Sequence, residues 1–165
     1  MMTMRSNSVV ISHAIDILVS EEGFEEYPYV DTEGYVTVGY GLKISAAMQP
    51  FSDFNSFPLM PQSVAEEWMK SIVTKLHRDM HNINALDNVL AECNIARTAV
   101  LLSMAYQIGL DGLLKFKNTL ALLEDRNFKG ASIEMLDSKW HTQSANRAER
   151  HAEMVEGGYV LDYYL

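Results

Sequence analysis

The first element that the pattern of apolar positions predicts is an amphipathic helix from about Ser8 to Glu22. Its apolar residues recur at intervals of three and four, at Ile11, Ala14, Ile15 and Leu18. Ser6 to Ser8 are candidate N-caps, and Gly23 is a C-terminal stop. Because Glu22 lies four residues after Leu18, it extends the apolar stripe into the last helical turn. A carboxylate is therefore expected at the edge of the core.

A β-hairpin is predicted immediately after this helix. The segment DTEG has Asp31 at the first and Gly34 at the last position of a turn, where these residue types are favoured. The following YVTVG alternates strictly, which places its two valines on one face and Tyr35 and Thr37 on the other. Residues 42–61 contain three prolines among scattered aromatics. They are expected to be irregular and to close a small lobe.

Helical patterns fill most of the remaining chain. A long helix over residues 62–82 is expected, with Ser63 and Glu66 at the spacing of a capping box. Its apolar stripe consists of Val64, Trp68, Ile72 and Leu76. Residues 95–108 are apolar nearly all round, which is typical of a helix at the centre of a bundle. Shorter helices follow, the last between a Ser144 cap and a Gly157 stop.

The order of these elements predicts an α+β fold that is mainly helical and has two lobes. We expect a single domain, residues 1–165, whose small lobe spans residues 22–61 and whose helical lobe spans residues 83–165. The helix of residues 62–82 connects the lobes, and the N-terminal helix, residues 1–21, packs on the helical lobe.

Composition and charge narrow the classes of function. The 165 residues are 48% hydrophobic and 21% charged, which is typical of one globular domain. Acidic residues outnumber basic ones 22 to 13, and the net charge of −9 argues against a nucleic-acid partner. The longest apolar run, AVLLSMAYQIGL, is shorter than the roughly 20 residues of a membrane span. The N-terminal apolar run is broken by polar residues and is a poor signal peptide, so we expect synthesis in the cytoplasm without self-directed export and without stable membrane insertion.

Glu22 is the first candidate for chemistry. It lies at the negative end of a helix dipole and beside the core, and both surroundings disfavour the charged form of a carboxyl group. A general acid needs its proton at neutral pH, so this is a suitable position for one. The alternative is a solvated glutamate at a frayed helix end, as expected for Glu21.

Asp31 and Thr37 are candidates for a catalytic site only in combination with Glu22. An aspartate that opens a turn and a threonine in a strand have ordinary structural roles. A helix end and the adjoining hairpin, however, can face each other across a cleft with one carboxylate on each wall. Paired carboxylates on either side of a scissile bond are the basis of glycoside hydrolysis.

The segment EGFEEYPYVDTEGYVTVGYG resembles the catalytic segment of the phage-type lysozymes, or endolysins, most of all those of T-even phages. Glu22, Asp31 and Thr37 have the family's spacing, and the glycines of the hairpin are in step. The segments MAYQIG, FKNTLALL and SKWHTQSANRAERH resemble its central helix, the next helix and its tryptophan followed by Asn-Arg-Ala. The resemblance implies a lysozyme-like fold and an enzyme that hydrolyses peptidoglycan glycan strands, as a monomer and without metal or cofactor.

The resemblance also implies roles for individual residues. Glu22 would protonate the glycosidic oxygen, while Asp31 and Thr37 would hold the water that attacks the sugar from the other side and inverts its configuration. Arg147 matches the arginine that pairs with the catalytic glutamate. The other residues at substrate-binding positions are Lys43, Tyr106, Gln107, Thr119 and Glu134, of which Lys43 and Glu134 differ in type from the family.

Departures from the family and competing motifs leave alternatives open. Leu42 and Ser103 replace a histidine and an asparagine of the family, and the chain is acidic where its relatives are basic. A lytic transglycosylase would use Glu22 without needing Asp31 and Thr37, and a catalytically silent glycan-binding or virion structural protein would need none of them. His77 and His81 have metal-ligand spacing on one helix face, but the glutamate of a zincin motif is missing, and a polar helix face is the preferred interpretation.

Overall fold

The computed structural model describes residues 4–31, 34–45 and 59–165. The described part contains eight α-helices and a three-stranded sheet. The helices are α1 (Met4–Glu22), α2 (Gln62–His81), α3 (Asn84–Glu92), α4 (Ile95–Leu113), α5 (Lys117–Glu124), α6 (Phe128–Leu136), α7 (Lys139–Gln143) and α8 (Ala145–Gly157). The strands are β1 (Glu25–Val30), β2 (Val36–Gly39) and β3 (Leu42–Ser45), and a 3-10 helix, Asp162–Tyr164, follows α8. The prediction of a mainly helical, lysozyme-like α+β fold is confirmed.

The first helix begins earlier than its sequence pattern predicts. It starts at Met4, so the serines at 6 and 8 lie inside the helix, and the prediction of N-caps there is wrong. Its innermost residues are Val10, Ala14, Ile17 and Leu18. The helix packs mainly against α4 and also against α2. The end of α1 is thereby fixed beside the centre of the molecule, with Glu22 as its last residue.

The small sheet is antiparallel in the order β1-β2-β3. Tyr29 pairs with Thr37, and Thr37 pairs in turn with Lys43, so these residues form a row across the three strands. The turn before β2 matches its prediction, since the Gly34 amide donates to the Asp31 carbonyl at 3.0 Å. Residues 42–45 form a strand where an irregular segment was predicted. The rest of that predicted segment up to residue 58, and Glu33 in the turn, lie outside the described residues.

The connecting helix α2 is present, but two details of its prediction are wrong. Its buried residues are Ala65, Met69, Val73, His77 and Met80, whereas Val64 and Trp68 are exposed. Pro61 is the N-cap residue, and no side chain caps the helix. Glu66 instead accepts hydrogen bonds from Gln62 and from the hydroxyl of Tyr40 in the small lobe.

The central helix α4 is buried on all sides from Ala96 to Ala105, as the sequence predicts. Asn94 caps its N-terminus by accepting a hydrogen bond from the Arg97 amide at 3.1 Å. Gly109 has a φ of 72° and interrupts the helical backbone near its end. Among the helices of the described residues, none is by itself long and apolar enough to cross a membrane, although α4 and α5 together, bent by 111°, pass that test of length and composition.

The last long helix, α8, packs against α6, α4 and α7. Ser144 precedes it, but its hydroxyl accepts from the Gln107 amide at 3.2 Å instead of capping the helix. Gly158, with a φ of 73°, ends the helix one residue after the predicted Gly157. The inner face of α8 carries Arg147 and His151, which are both buried.

Candidate active site

Glu22 is paired with Arg147 across the interior of the molecule. The Glu22 side chain is 18% exposed, and Arg147 Nη1 donates to its Oε1 at 2.7 Å. Arg147 lies on α8 and is only 6% exposed. A side chain built on Gly41, whose φ is 72°, would place its Cβ 3.6 Å from Glu22 Oε2. The carboxylate therefore lies between the helical lobe and the turn that joins β2 and β3.

Arg147 is held by groups of its own lobe. Its Nη2 donates to the carbonyl of Ser103 at 3.1 Å and to the Ser103 hydroxyl at 2.9 Å. The same hydroxyl lies 2.8 Å from Nε2 of His151, whose side chain is completely buried. His151 is not among the residues predicted for the site, although it lies four residues after Arg147 and so on the same helix face.

Asp31, Thr37 and Lys43 form a second cluster on the hairpin. Asp31 Oδ1 accepts from the Tyr35 amide at 2.8 Å, which fixes the carboxylate against the turn. The Thr37 hydroxyl lies 3.3 Å from Asp31 Oδ2, and Lys43 Nζ lies 3.7 Å from the same oxygen. Thr37 is 2% exposed, while Lys43 is 48% exposed. The structure thus brings these three predicted site residues together.

Tyr29 lies close to both clusters. Burial raises the pKa of its phenol, and the negative charges of Glu25, Asp31 and Glu22 raise this pKa further. The phenol is therefore within electrostatic range of both Glu22 and Asp31.

Tyr106 and Gln107 reach this region from the end of α4. The Tyr106 hydroxyl donates to the Tyr40 carbonyl at 2.8 Å and so ties α4 to the small lobe. Gln107 Oε1 accepts from the indole of Trp140 at 2.8 Å, which orients its amide. Gln107 also lines a cavity of about 420 Å³ together with Glu22 and Arg147. Tyr106 and Gln107 therefore bind protein groups at the edge of the Glu22 site.

Thr119 and Glu134 lie in a different part of the helical lobe. Both line a larger cavity, of about 690 Å³, to which neither Glu22 nor Arg147 contributes. Thr119 is 2% exposed, and Glu134 accepts from the Asn118 amide at 2.7 Å. Gln143 lines both cavities. These two predicted substrate-binding residues therefore line a cavity that adjoins the Glu22 cavity at Gln143.

Glu21 is not the surface glutamate that the sequence suggested. Its side chain is 6% exposed, whereas the side chain of Glu22 is 18% exposed. Arg150 donates to both of its carboxylate oxygens at 2.9 Å, and the Tyr164 hydroxyl donates to it as well. The interpretation of Glu21 as solvated is wrong because Arg150 of α8 and Tyr164 of the C-terminal 3-10 helix contact it. The local pattern around Glu21 does not predict these contacts.

His77, His81 and Cys93 are explained by their packing within the helical part of the protein. His77 and His81 are in edge-to-face contact with ring centres 4.8 Å apart, and His81 Nδ1 lies 2.6 Å from Asp87 Oδ1. Within residues 4–31, 34–45 and 59–165, no three histidine, cysteine or acidic side chains are grouped as a metal site. Cys93 is buried, and burial raises the pKa of its thiol to about 12.

Because His77 and His151 are buried, we expect the protein to lose stability as the pH falls below the ordinary histidine pKa of 6.5. Burial, Arg147 and Arg150 lower the pKa of His151, while burial and His81 lower that of His77. Below pH 6.5 the unfolded chain therefore binds more protons than the folded protein. The free energy of unfolding should fall by up to about 1.4 kcal/mol per pH unit for each histidine.

Urea unfolding at several values between pH 7 and pH 5 measures this slope. In the variant His151→Gln, the share of one histidine should disappear from it. An equal slope in the native protein and the variant would contradict the prediction for His151.

The fold and the site together define a class of protein. Mainly helical architecture, a small antiparallel sheet and a glutamate at the end of the first long helix are features of the lysozyme-like α+β fold. A family model described as phage lysozyme matches residues 19–153, which include every predicted site residue. The chain belongs to the phage lysozyme family.

Individual relatives are distant but extend over most of the chain. The chain is 26% identical to "Probable T4-type lysozyme 1" of Dictyostelium discoideum over 93% of its own length and 99% of that protein. It is also 26% identical to the "Pre-baseplate central spike protein Gp5" of Enterobacteria phage T4, over 90% of the chain and 28% of that protein. "Peptidoglycan hydrolase gp36" of Pseudomonas phage phiKMV is 26% identical over 80% of the chain and 14% of that protein. The chain thus spans less than a third of these two phage proteins.

Proposed function

We propose that this protein is a muramidase that hydrolyses the β-1,4 bond between N-acetylmuramic acid and N-acetylglucosamine. Membership of the phage lysozyme family makes it a lysozyme-type hydrolase of peptidoglycan. The observation that supports the finer statement is the presence of two clusters at the small lobe. Glu22 is paired with Arg147 in one of them, and Asp31 is hydrogen-bonded to Thr37 in the other.

In the proposed reaction, Glu22 donates its proton to the glycosidic oxygen as the bond from this oxygen to the anomeric carbon breaks. The resulting carboxylate is stabilised by Arg147, whose Nη1 is 2.7 Å away. Arg147 thus stabilises the charge that Glu22 gains when it gives up its proton.

Asp31 and Thr37 supply the second half of the reaction. Asp31 Oδ2 accepts from the Thr37 hydroxyl at 3.3 Å, and a water bound beside this pair would donate a hydrogen bond to the carboxylate. Asp31 takes a proton from this water as the oxygen attacks the anomeric carbon from the face opposite the leaving group. This geometry inverts the sugar configuration, for which carboxyl groups about 6.5–9.5 Å apart are required.

Product analysis tests the reaction. Digested peptidoglycan that is reduced with borohydride should carry reduced muramic acid at its new ends, and the first anomer formed should be α by proton NMR. The variant Asp31→Asn should lose about 10²-fold or more in rate, because the water then lacks its base.

Ends that weigh one water less, in the anhydro form, would instead identify a lytic transglycosylase, and full activity of Asp31→Asn would agree with that result. Reduced glucosamine at the new ends would contradict muramidase action.

A second candidate, a lysozyme domain that serves within a virion, is favoured by the match to the central spike protein. It includes a catalytically silent form that only binds glycan. Co-sedimentation with purified cell walls, without release of sugar at any salt concentration, would identify the silent form.

We also propose a role in phage-induced lysis, with the protein kept in the host cytoplasm, as a monomer, until a holin-type lesion opens the membrane. Family membership supports this role. Expression in Gram-negative cells should leave them intact until chloroform is added, and the culture should then clear. Clearing before the membrane is opened would contradict it.

A further inference from the structure

We propose that His151 is a positioning residue, which holds Arg147 on Glu22 through the hydroxyl of Ser103. The inference rests on the proposed function, in which Glu22 is the acid. It concerns three consecutive contacts that run from the core to the carboxylate. They are His151 Nε2 to Ser103 Oγ at 2.8 Å, Ser103 Oγ to Arg147 Nη2 at 2.9 Å, and Arg147 Nη1 to Glu22 Oε1 at 2.7 Å.

The direction of the hydrogen bond between Arg147 and Ser103 is fixed by the chemistry of the two groups. A guanidinium has no acceptor, so Ser103 Oγ accepts from Arg147. In the proposed chain of contacts, His151 carries its proton on Nδ1, and the Ser103 hydroxyl donates to Nε2, which lies 2.8 Å away. His151 thereby fixes the rotation of the hydroxyl and directs a lone pair of Ser103 at Arg147.

The surroundings of His151 keep it in place and neutral. Its ring is fully buried and packs edge-on against Trp140, at 5.7 Å between ring centres, and Tyr164, at 6.4 Å. The charged groups near it are Arg147 and Arg150, both cations, and these add to burial in lowering the pKa of its imidazole. A neutral imidazole retains the lone pair that the chain of contacts requires.

The contact between Ser103 and Arg147 Nη2 would affect the reaction because it sets the orientation of the whole guanidinium group. Arg147 Nη2 is fixed by the carbonyl and the hydroxyl of Ser103, and this leaves Nη1 directed at Glu22. Loss of the hydroxyl contact would leave the carbonyl alone to set the angle of the planar group. A displacement of Nη1 would then weaken its contact with the carboxylate that forms during proton transfer.

The test compares two substitutions of His151. His151→Leu removes the acceptor and should lower kcat about tenfold with an unchanged KM. His151→Gln places an amide oxygen near the position of Nε2 and should restore kcat to within about twofold of the native value. Ser103→Ala should have the same effect as His151→Leu, and the double variant should lose no more than either alone, because both remove one chain of contacts.

Val155→Ala is the matched control, since Val155 is as buried as His151 and lies on α8 eight residues after Arg147. It should lower stability and leave kcat unchanged. Equal kcat in His151→Leu and the native protein, or a loss in His151→Gln as large as in His151→Leu, would overturn the proposal.

A readout independent of activity separates this inference from the proposed function. In nitrogen-15 NMR spectra, the Arg147 guanidinium protons should exchange slowly with water in the native protein and in His151→Gln. They should exchange at least about tenfold faster in His151→Leu. Slow exchange in His151→Leu would overturn the positioning role even if the enzyme is active. If the native protein hydrolyses nothing but exchange accelerates as expected, the proposed function alone has failed.

Discussion

Glu22→Gln is expected to abolish the clearing of permeabilised Gram-negative cells. Glutamine has nearly the same shape and keeps an oxygen that can accept from Arg147, but it carries no proton that it can give to a glycosidic oxygen. Loss of general acid catalysis should reduce the rate about 10³-fold. The rate of turbidity loss, followed for the native protein and the variant over a range of salt concentrations, measures the effect.

Glu25→Gln provides the control for this experiment. Glu25 lies in β1 and is exposed. Its substitution by glutamine removes one negative charge, as the substitution of Glu22 does. It should clear cells at the native rate, and unfolding of Glu22→Gln in urea should show that the fold is retained. If Glu22→Gln and the native protein clear cells equally, or if neither clears them at any salt concentration, the assigned mechanism is wrong.

The neighbouring substitution, Glu21→Gln, is expected to affect stability instead of chemistry. Glu21 is 6% exposed, and Arg150 contacts both of its oxygens at 2.9 Å. A neutral amide leaves Arg150 with a weaker partner in a poorly hydrated place, and it also removes the charged acceptor of the Tyr164 hydroxyl. The free energy of unfolding should fall by about 3 kcal/mol, as measured by urea denaturation at pH 7.

Glu92→Gln is a suitable comparison because Glu92 also pairs with an arginine, Arg126, which is 70% exposed. Exposed ion pairs contribute at most about 1 kcal/mol, so this variant should remain close to the native stability. Below the temperature at which it unfolds, Glu21→Gln should retain most of the native kcat. A loss of stability no larger than that of Glu92→Gln would show that burial of the Glu21 pair does not matter.

The two adjacent glutamates show how far the sequence alone could be interpreted. The apolar stripe of α1 and the family motif both selected Glu22, and the structure places it on Arg147. Local pattern gave no reason to expect that Glu21 is the more buried of the two. Its burial depends on α8 and on the C-terminal 3-10 helix, which come from positions more than a hundred residues away.

Errors in the predicted elements have a similar cause. The stripe of α2 was assigned to the largest apolar residues, but small or flexible side chains such as Ala65 and Met69 are the ones that face the core. Trp68 lies one position before Met69, and its row of residues repeats with the same helical period, but its side chain is exposed. Periodicity defines the existence and length of such a helix, whereas the packing of its neighbours selects the buried face.

The sequence by itself determined the main features of this protein: a mainly helical α+β fold, a hairpin that opens with Asp31, an all-round apolar α4 and the family motif with Glu22. Each depends on a periodicity or a spacing that is contained within one segment of chain. The tertiary structure alone decided contacts that neither pattern nor motif implied. The contact of Ser103 with His151 and the ion pair of Glu21 with Arg150 are both of this kind. These contacts join residues that are distant in sequence, and local pattern does not constrain the distances between them.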